Sequence, residues 1–210
     1  YVDIRQTDRL AAYYMQKDSL IYEVMTGNVT SEDYQGDGRW DLAALAFSYN
    51  VMNIQAEGFN NLMSINDRID PKYDTIVSEL KNLYIDRKAS VELQNTTLKE
   101  SILKNIDYIK ENENWFSSLY FTDRDFSEEQ INYYLNDPYY KNALSEYTIG
   151  GINNLLGSVT YFRSSAIDCY NLIADFLDKS ERFGYDEEVF AAYIGTYVSD
   201  GDTIRVRKEE

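Results

Sequence analysis

Apolar residues recur every three to four positions along most of this chain, the spacing that gathers them on one face of an α-helix. Over 5–26 the stripe is Leu10, Tyr13/Tyr14, Lys17, Leu20/Ile21 and Val24, and Gly27-Asn28 follows as a stop. The segment 30–39, with Gly36-Asp37-Gly38 inside it, reads as a loop. A second helix is expected from Asp41, as its N-cap, to about Asn66, with Leu42, Leu45, Tyr49, Met52, Ala56, Phe59 and Met63 as its seam. Gly58 weakens that helix by about 1 kcal/mol relative to alanine.

Asp70-Pro71 is a start signal, because aspartate caps free amide donors and proline suits the first helical position. Ile76, Leu80, Leu83/Tyr84, Val91, Leu98, Ile102, Ile106 and Ile109 then carry a helix expected to reach Ser118, with a break near 88–90 as the alternative. Ser127 and Gln130 form a capping box for a short helix over 128–135. Asp137-Pro138 repeats the start signal and opens a helix over about 138–180, along Tyr140, Leu144, Thr148, Ile152, Leu155, Val159, Phe162, Ala166, Cys169 and Ile173. Gly150 and Gly151 interrupt it as a hinge, or else admit a neighbouring helix closely; the hinge is the preferred reading. Beyond Arg182 a short helix over 187–197 is expected, then a turn at Asp200-Gly201 and a tail whose Ile204 and Val206 alternate like an edge strand.

Stripes on four long segments must bury one another. The expected fold is all-α: an elongated antiparallel bundle of four main helices, two of them very long, with short accessory helices. Residues 1–184 form the bundle, and 185–210 an accessory helix or turn and a tail packed partly on it. Two prolines and ten glycines in 210 residues agree with long helices.

Composition removes several functions. Thirty-six acidic residues against 20 basic ones give a charge of −16, which opposes binding to nucleic acid and adsorption to anionic lipid. There is no histidine, the commonest general base and imidazole ligand, and the single Cys169 lies on an apolar face. No catalytic residue, cofactor or metal site is assigned. Two oxygen-rich loops, Asp33/Asp37/Asp41 and Asp123/Asp125/Glu128/Glu129, lack the spacing of a calcium-binding EF-hand.

Twenty tyrosines are the unusual feature. Trp115, Phe116, Tyr120, Tyr133, Tyr134 and Tyr139 concentrate near one turn, too many to point into a single thin seam. They form either a satellite core or a surface for a protein or small ligand. The functional expectation is a non-catalytic binding or sensing module. A structural protein that dimerises through a helical face is the alternative, and an enzyme with a carboxylate site is less favoured. Because the chain opens on Tyr1, an extracytoplasmic part of a membrane-anchored protein is the expected setting, with membrane contact only through a segment outside this chain.

Overall fold

The computed structural model describes residues 2–119, 125–179, 195–199 and 202–206. Helix α1 (Val2–Thr26) follows the first stripe, and Gly27 at φ 76° turns the chain out of it. Two returning bonds, Gly27 N–H to the Val24 carbonyl and Asn28 N–H to the Glu23 carbonyl, at 3.3 and 3.0 Å, close the Schellman end that glycine permits.

The helix expected over 41–66 does not form. Its place is taken by α2 (Arg39–Ala43), turns at 44–47, a non-helical strap over 48–56, and α3 (Glu57–Met63). Gly38, and not Asp41, occupies the N-cap position of α2. Along the strap Met52 and Ile54 are buried while Val51, Asn53 and Gln55 are exposed, the alternation of an extended chain. Reach gives the same answer. Ser48 bonds to Lys17 and Gln55 to Asp3, so the strap travels from 48 to 55 while α1 covers 17 to 3. Fourteen helical residues rise about 21 Å, and seven residues cover that only when nearly extended.

Two causes act together. Ser48, Asn50, Val51, Asn53 and Ile54 have weak helical preference. Side chains of the neighbouring helices also satisfy the strap's backbone: the Tyr14 hydroxyl donates to the Asn50 carbonyl at 2.6 Å, Asn95 Nδ2 to Met52 at 2.9 Å, and Asp3 accepts from Gln55 N–H at 3.2 Å.

The first Asp-Pro signal acts as expected. The Asp70 carboxylate accepts from Lys72 N–H at 3.0 Å, a 3₁₀ turn (Pro71–Tyr73) follows, and α4 then runs unbroken through Asp74–Lys81, a π-helical stretch Asn82–Arg87, and Lys88–Asn112. The helix therefore stops short of Ser118. Its irregularity is a wide turn just before 88–90, not a break there. Helix α5 (Glu128–Asn136) carries the capping box, with Gln130 N–H on Ser127 Oγ at 3.2 Å and Ser127 N–H on Gln130 Oε1 at 2.7 Å. The Asp137 carboxylate then caps α6, which proceeds through Pro138–Tyr147, a π-helical stretch Thr148–Leu155, and Leu156–Phe176.

Strands β1 (Gly195–Ser199) and β2 (Asp202–Val206) form an antiparallel hairpin, with Tyr197 opposite Ile204. The tail strand thus has a partner, in residues expected to end a helix. The remainder of that expected helix, 187–194, lies outside the described residues.

The described residues form an all-α bundle of six helices, two of them long joined helices, and this small hairpin. Helix α6 runs antiparallel to α1 and α4. It meets α1 through Arg163–Asp8 at 2.7 Å and Lys141 to the Val24 carbonyl at 3.0 Å, and meets α4 through Ser158–Ser90 at 3.1 Å and Tyr139–Asn105 at 3.3 Å. The strap lies alongside α1 and α4 where a fourth helix was expected. Leu98, Ile102, Ile109, Leu144, Leu155 and Phe162 fill the seam between the long helices.

Candidate functional site

The tyrosine-rich end is largely a packed interior. Trp115, Tyr133 and Tyr134 are buried, Phe116 and Tyr139 are half-buried, and Tyr120 lies outside the described residues. The Trp115 ring meets Tyr133 edge-on at 5.3 Å, and Tyr139 stacks on Tyr108 at 3.4 Å. The 28–43 segment lays a lid over this cluster. Tyr34 stacks on Tyr134 at 5.3 Å with an 8° interplanar angle, and Trp40 packs edge-on against Phe126 at 4.9 Å. Trp40, 41% exposed, is the aromatic ring this lid turns toward solvent. Sequence spacing gives no reason to place Tyr34 or Trp40 beside residues so far along the chain.

Gly150 and Gly151 lie within the π-helical stretch of α6. A Cβ on Gly151 would stand 3.2 Å from both the Tyr14 and Tyr147 rings, so close approach explains this glycine. At Gly150 the nearest atom, Leu98 Cδ1, would lie at an ordinary 3.7 Å.

Behind the lid sits a buried cation. Lys17 is only 6% exposed, and its Nζ donates to the carbonyls of Ala44, Leu45 and Ser48 at 3.2, 3.1 and 2.8 Å and to Ser48 Oγ at 2.8 Å. The rings of Tyr147 and Tyr13 flank it at 4.6 and 5.3 Å. The ammonium therefore caps the turns that follow α2, where unpaired carbonyls collect. Burial pulls its pKa down to about 7, and the Asp41 carboxylate opposes that shift. A lysine inside an apolar stripe is the sequence signal for such a site.

A cleft of about 550 Å³ opens between α1 and the 28–42 segment. Gln16, Leu20 and Glu23 line it from α1; Asn28, Val29, Glu32, Asp33, Gly36 and Gly38 from the loop; Asp41 and Leu42 from α2. Its four carboxylates face no lysine or arginine in the lining. Two are held in place: Asp33 accepts Thr30 N–H and Oγ–H at 2.7 and 2.8 Å, and Glu23 accepts Asn28 Nδ2 at 2.8 Å. The Thr30 bonds keep the Asp33 carboxyl below the usual carboxylate range. Arg39, at the end of this loop, donates to the carbonyl of the lining residue Gly36 at 3.3 Å and stands 4.0 Å from Asp125.

That last pair brings together parts of the two oxygen-rich loops noted in the sequence. On the far side of α2, Trp40, Leu119, Phe126 and Asp125 border a smaller notch of about 190 Å³. Among the described residues, no three carboxylate or thiol groups converge closely enough to hold a metal ion. Cys169 is buried, and burial pushes its thiol up to about 11, away from nucleophilic reactivity. No family model matches the chain, and no curated protein or solved structure is significantly similar to it.

Proposed function

We propose that this protein is a non-catalytic recognition module that receives a cationic group, an amine or guanidinium carried by a protein or small-molecule partner, in the cleft between α1 and α2. The observation carrying this reading is a pocket of ligand size, about 550 Å³, lined by Glu23, Glu32, Asp33 and Asp41 without a compensating basic side chain. A concave wall of one charge concentrates its field on an approaching counter-ion. Trp40, exposed and packed on the buried Phe126, offers an apolar foothold in the neighbouring notch. In this reading the antiparallel helices are an elongated scaffold, with α4 and α6 each about 60 Å long, holding the cleft at one end.

The test is calorimetric titration with N-acetyl-Arg-Arg-amide, whose charge does not change near neutrality. Binding is expected, with affinity falling several-fold between 50 and 300 mM salt, about the range over which screening shortens. The Glu23→Gln/Asp41→Asn double variant is expected to weaken it at least about tenfold, as removal of two of four facing charges requires. Equal binding of N-acetyl-Gln-Gln-amide would sink the proposal.

A further inference from the structure

An aspartate followed by glycine or serine can close a ring on its own backbone, and the described residues hold such pairs at Asp18–Ser19 and Asp37–Gly38. Asp18–Ser19 lies in the middle of α1, where the helix fixes its dihedrals and engages the Ser19 amide. Asp37–Gly38 lies in the turns that lead into α2, and both residues are exposed. Among the described residues, neither the Asp37 carboxylate nor the Gly38 N–H has a hydrogen-bond partner. The neighbouring Asp33 differs, because Thr30 ties down its carboxylate through N–H and Oγ–H. Glycine also leaves the amide nitrogen unshielded: a Cβ built on Gly38 would meet no atom within 4 Å, so the fold places nothing around it either.

We propose that Asp37–Gly38 is a site of spontaneous covalent modification, converting to an isoaspartyl linkage that loosens the start of α2. The Gly38 amide nitrogen attacks the Asp37 side-chain carboxyl carbon; a C–N bond forms, a C–O bond breaks, and the amide proton leaves with the hydroxyl as water. Water then opens the succinimide at the former main-chain carbonyl, breaking its bond to the Gly38 nitrogen. The water lost in closure is regained in opening, nothing is oxidised or reduced, and the carboxylate charge is kept. What changes is the backbone, which now runs through the Asp37 β-carbon and is longer by a methylene. That methylene falls inside the turn closed by Arg39 N–H on the Gly36 carbonyl at 3.2 Å, just ahead of the Gly38 carbonyl that receives the Asp41 and Leu42 amides at 3.0 and 3.3 Å. Trp40, packed on Phe126 at 4.9 Å, follows directly on this turn. This chemistry is independent of what the cleft binds.

The experiment is incubation of the intact, folded chain in heavy-oxygen water at neutral pH and body temperature for several weeks. Isoaspartate is located by electron-transfer fragmentation, which separates Asp18 from Asp37 on the tryptic peptide they share. The expected result is isoaspartate at Asp37 carrying heavy oxygen, Asp18 at background, and stronger acrylamide quenching of Trp40 in the aged protein. Gly38→Ala, for which the fold has room, is expected to slow the conversion several-fold while circular dichroism stays unchanged. Asp37 that remains unconverted in the unmodified chain overturns the proposal, with no variant needed. Equal conversion at Asp18 means that the fold does not select the site, and an undiminished rate in Gly38→Ala removes the Gly38 amide as the attacking group; either overturns it as well. Unchanged Trp40 quenching in converted protein overturns the loosening of α2.

Discussion

The chain over 128–147 and the chain over 39–56 both carry apolar residues at helical spacing, yet only the first is helical throughout its central elements. The difference lies in where each backbone finds its partners. In the first, Ser127, Gln130 and Asp137 satisfy the free amides at the helix starts from within two or three residues. In the second, carbonyls are satisfied from α1, α4 and α6: by Lys17, Tyr14, Asn95 and, through its hydroxyl on the Leu42 carbonyl at 2.9 Å, Tyr140. Local partners make a helix self-specifying. Distant partners let a stretch of poor helix formers remain open without leaving its backbone unpaired.

Removing the distant partner is the strongest challenge to that contrast. Lys17→Ala takes the donor from three carbonyls and leaves a void, so a loss of roughly 3 kcal/mol is expected in urea unfolding. A loss below about 1 kcal/mol would mean that the 44–48 turns sustain themselves. The pH dependence has a definite sign. Lys17 holds its proton in the unfolded chain up to its ordinary value near 10.5, but in the folded chain only to about 7. Between these values the unfolded state binds more protons, so stability rises with pH, and this contribution is absent from Lys17→Ala.

Removing a local partner is expected to matter less. Asp137→Ala loses the acceptor of the Tyr139 and Tyr140 amides, a loss of about 1 kcal/mol, and the strap resonances should stay in place in an amide spectrum. The smallest effects separate two adjacent glycines. Gly151→Ala drives a methyl against Tyr14 and Tyr147 and is expected to lower stability by about 1 kcal/mol, whereas Gly150→Ala meets only an ordinary contact and should raise it by about 0.5 kcal/mol. Thermal unfolding of both variants reads the signs, and matching signs would remove the packing account of Gly151.

What could be read from the sequence follows the same division. Asp70, Ser127/Gln130 and Asp137 mark true helix starts because capping is a relation among close neighbours. The strap looks helical in the sequence because Leu45, Tyr49, Met52 and Ala56 satisfy helical spacing, while Met52 and Ile54 also satisfy alternation. Only the donors on other helices decide between the two. The Asp33/Asp37/Asp41 loop was visible as an acidic segment, but its cleft requires Glu23 and Gln16 from α1. Likewise, Trp115 and Tyr134 stand out as a cluster in the sequence, while the rings that cover Tyr134 and Phe126, those of Tyr34 and Trp40, arrive from the opposite half of the chain.

The wide turns inside α4 and α6 also set the phase of these helices. Tyr147, Gly151, Leu155 and Val159 are four residues apart and all buried. Three such steps on an ordinary α-helix would carry the last residue about 120° around the axis. By lengthening the turn locally, the π-helical stretch keeps all four aimed at the same interior. Leu83 and Val91 in α4, eight residues apart across a second wide stretch, receive the same adjustment at a different level of the bundle. Each long helix thus resets its own clock, and α1 can remain regular between partners whose sequences do not keep ideal time.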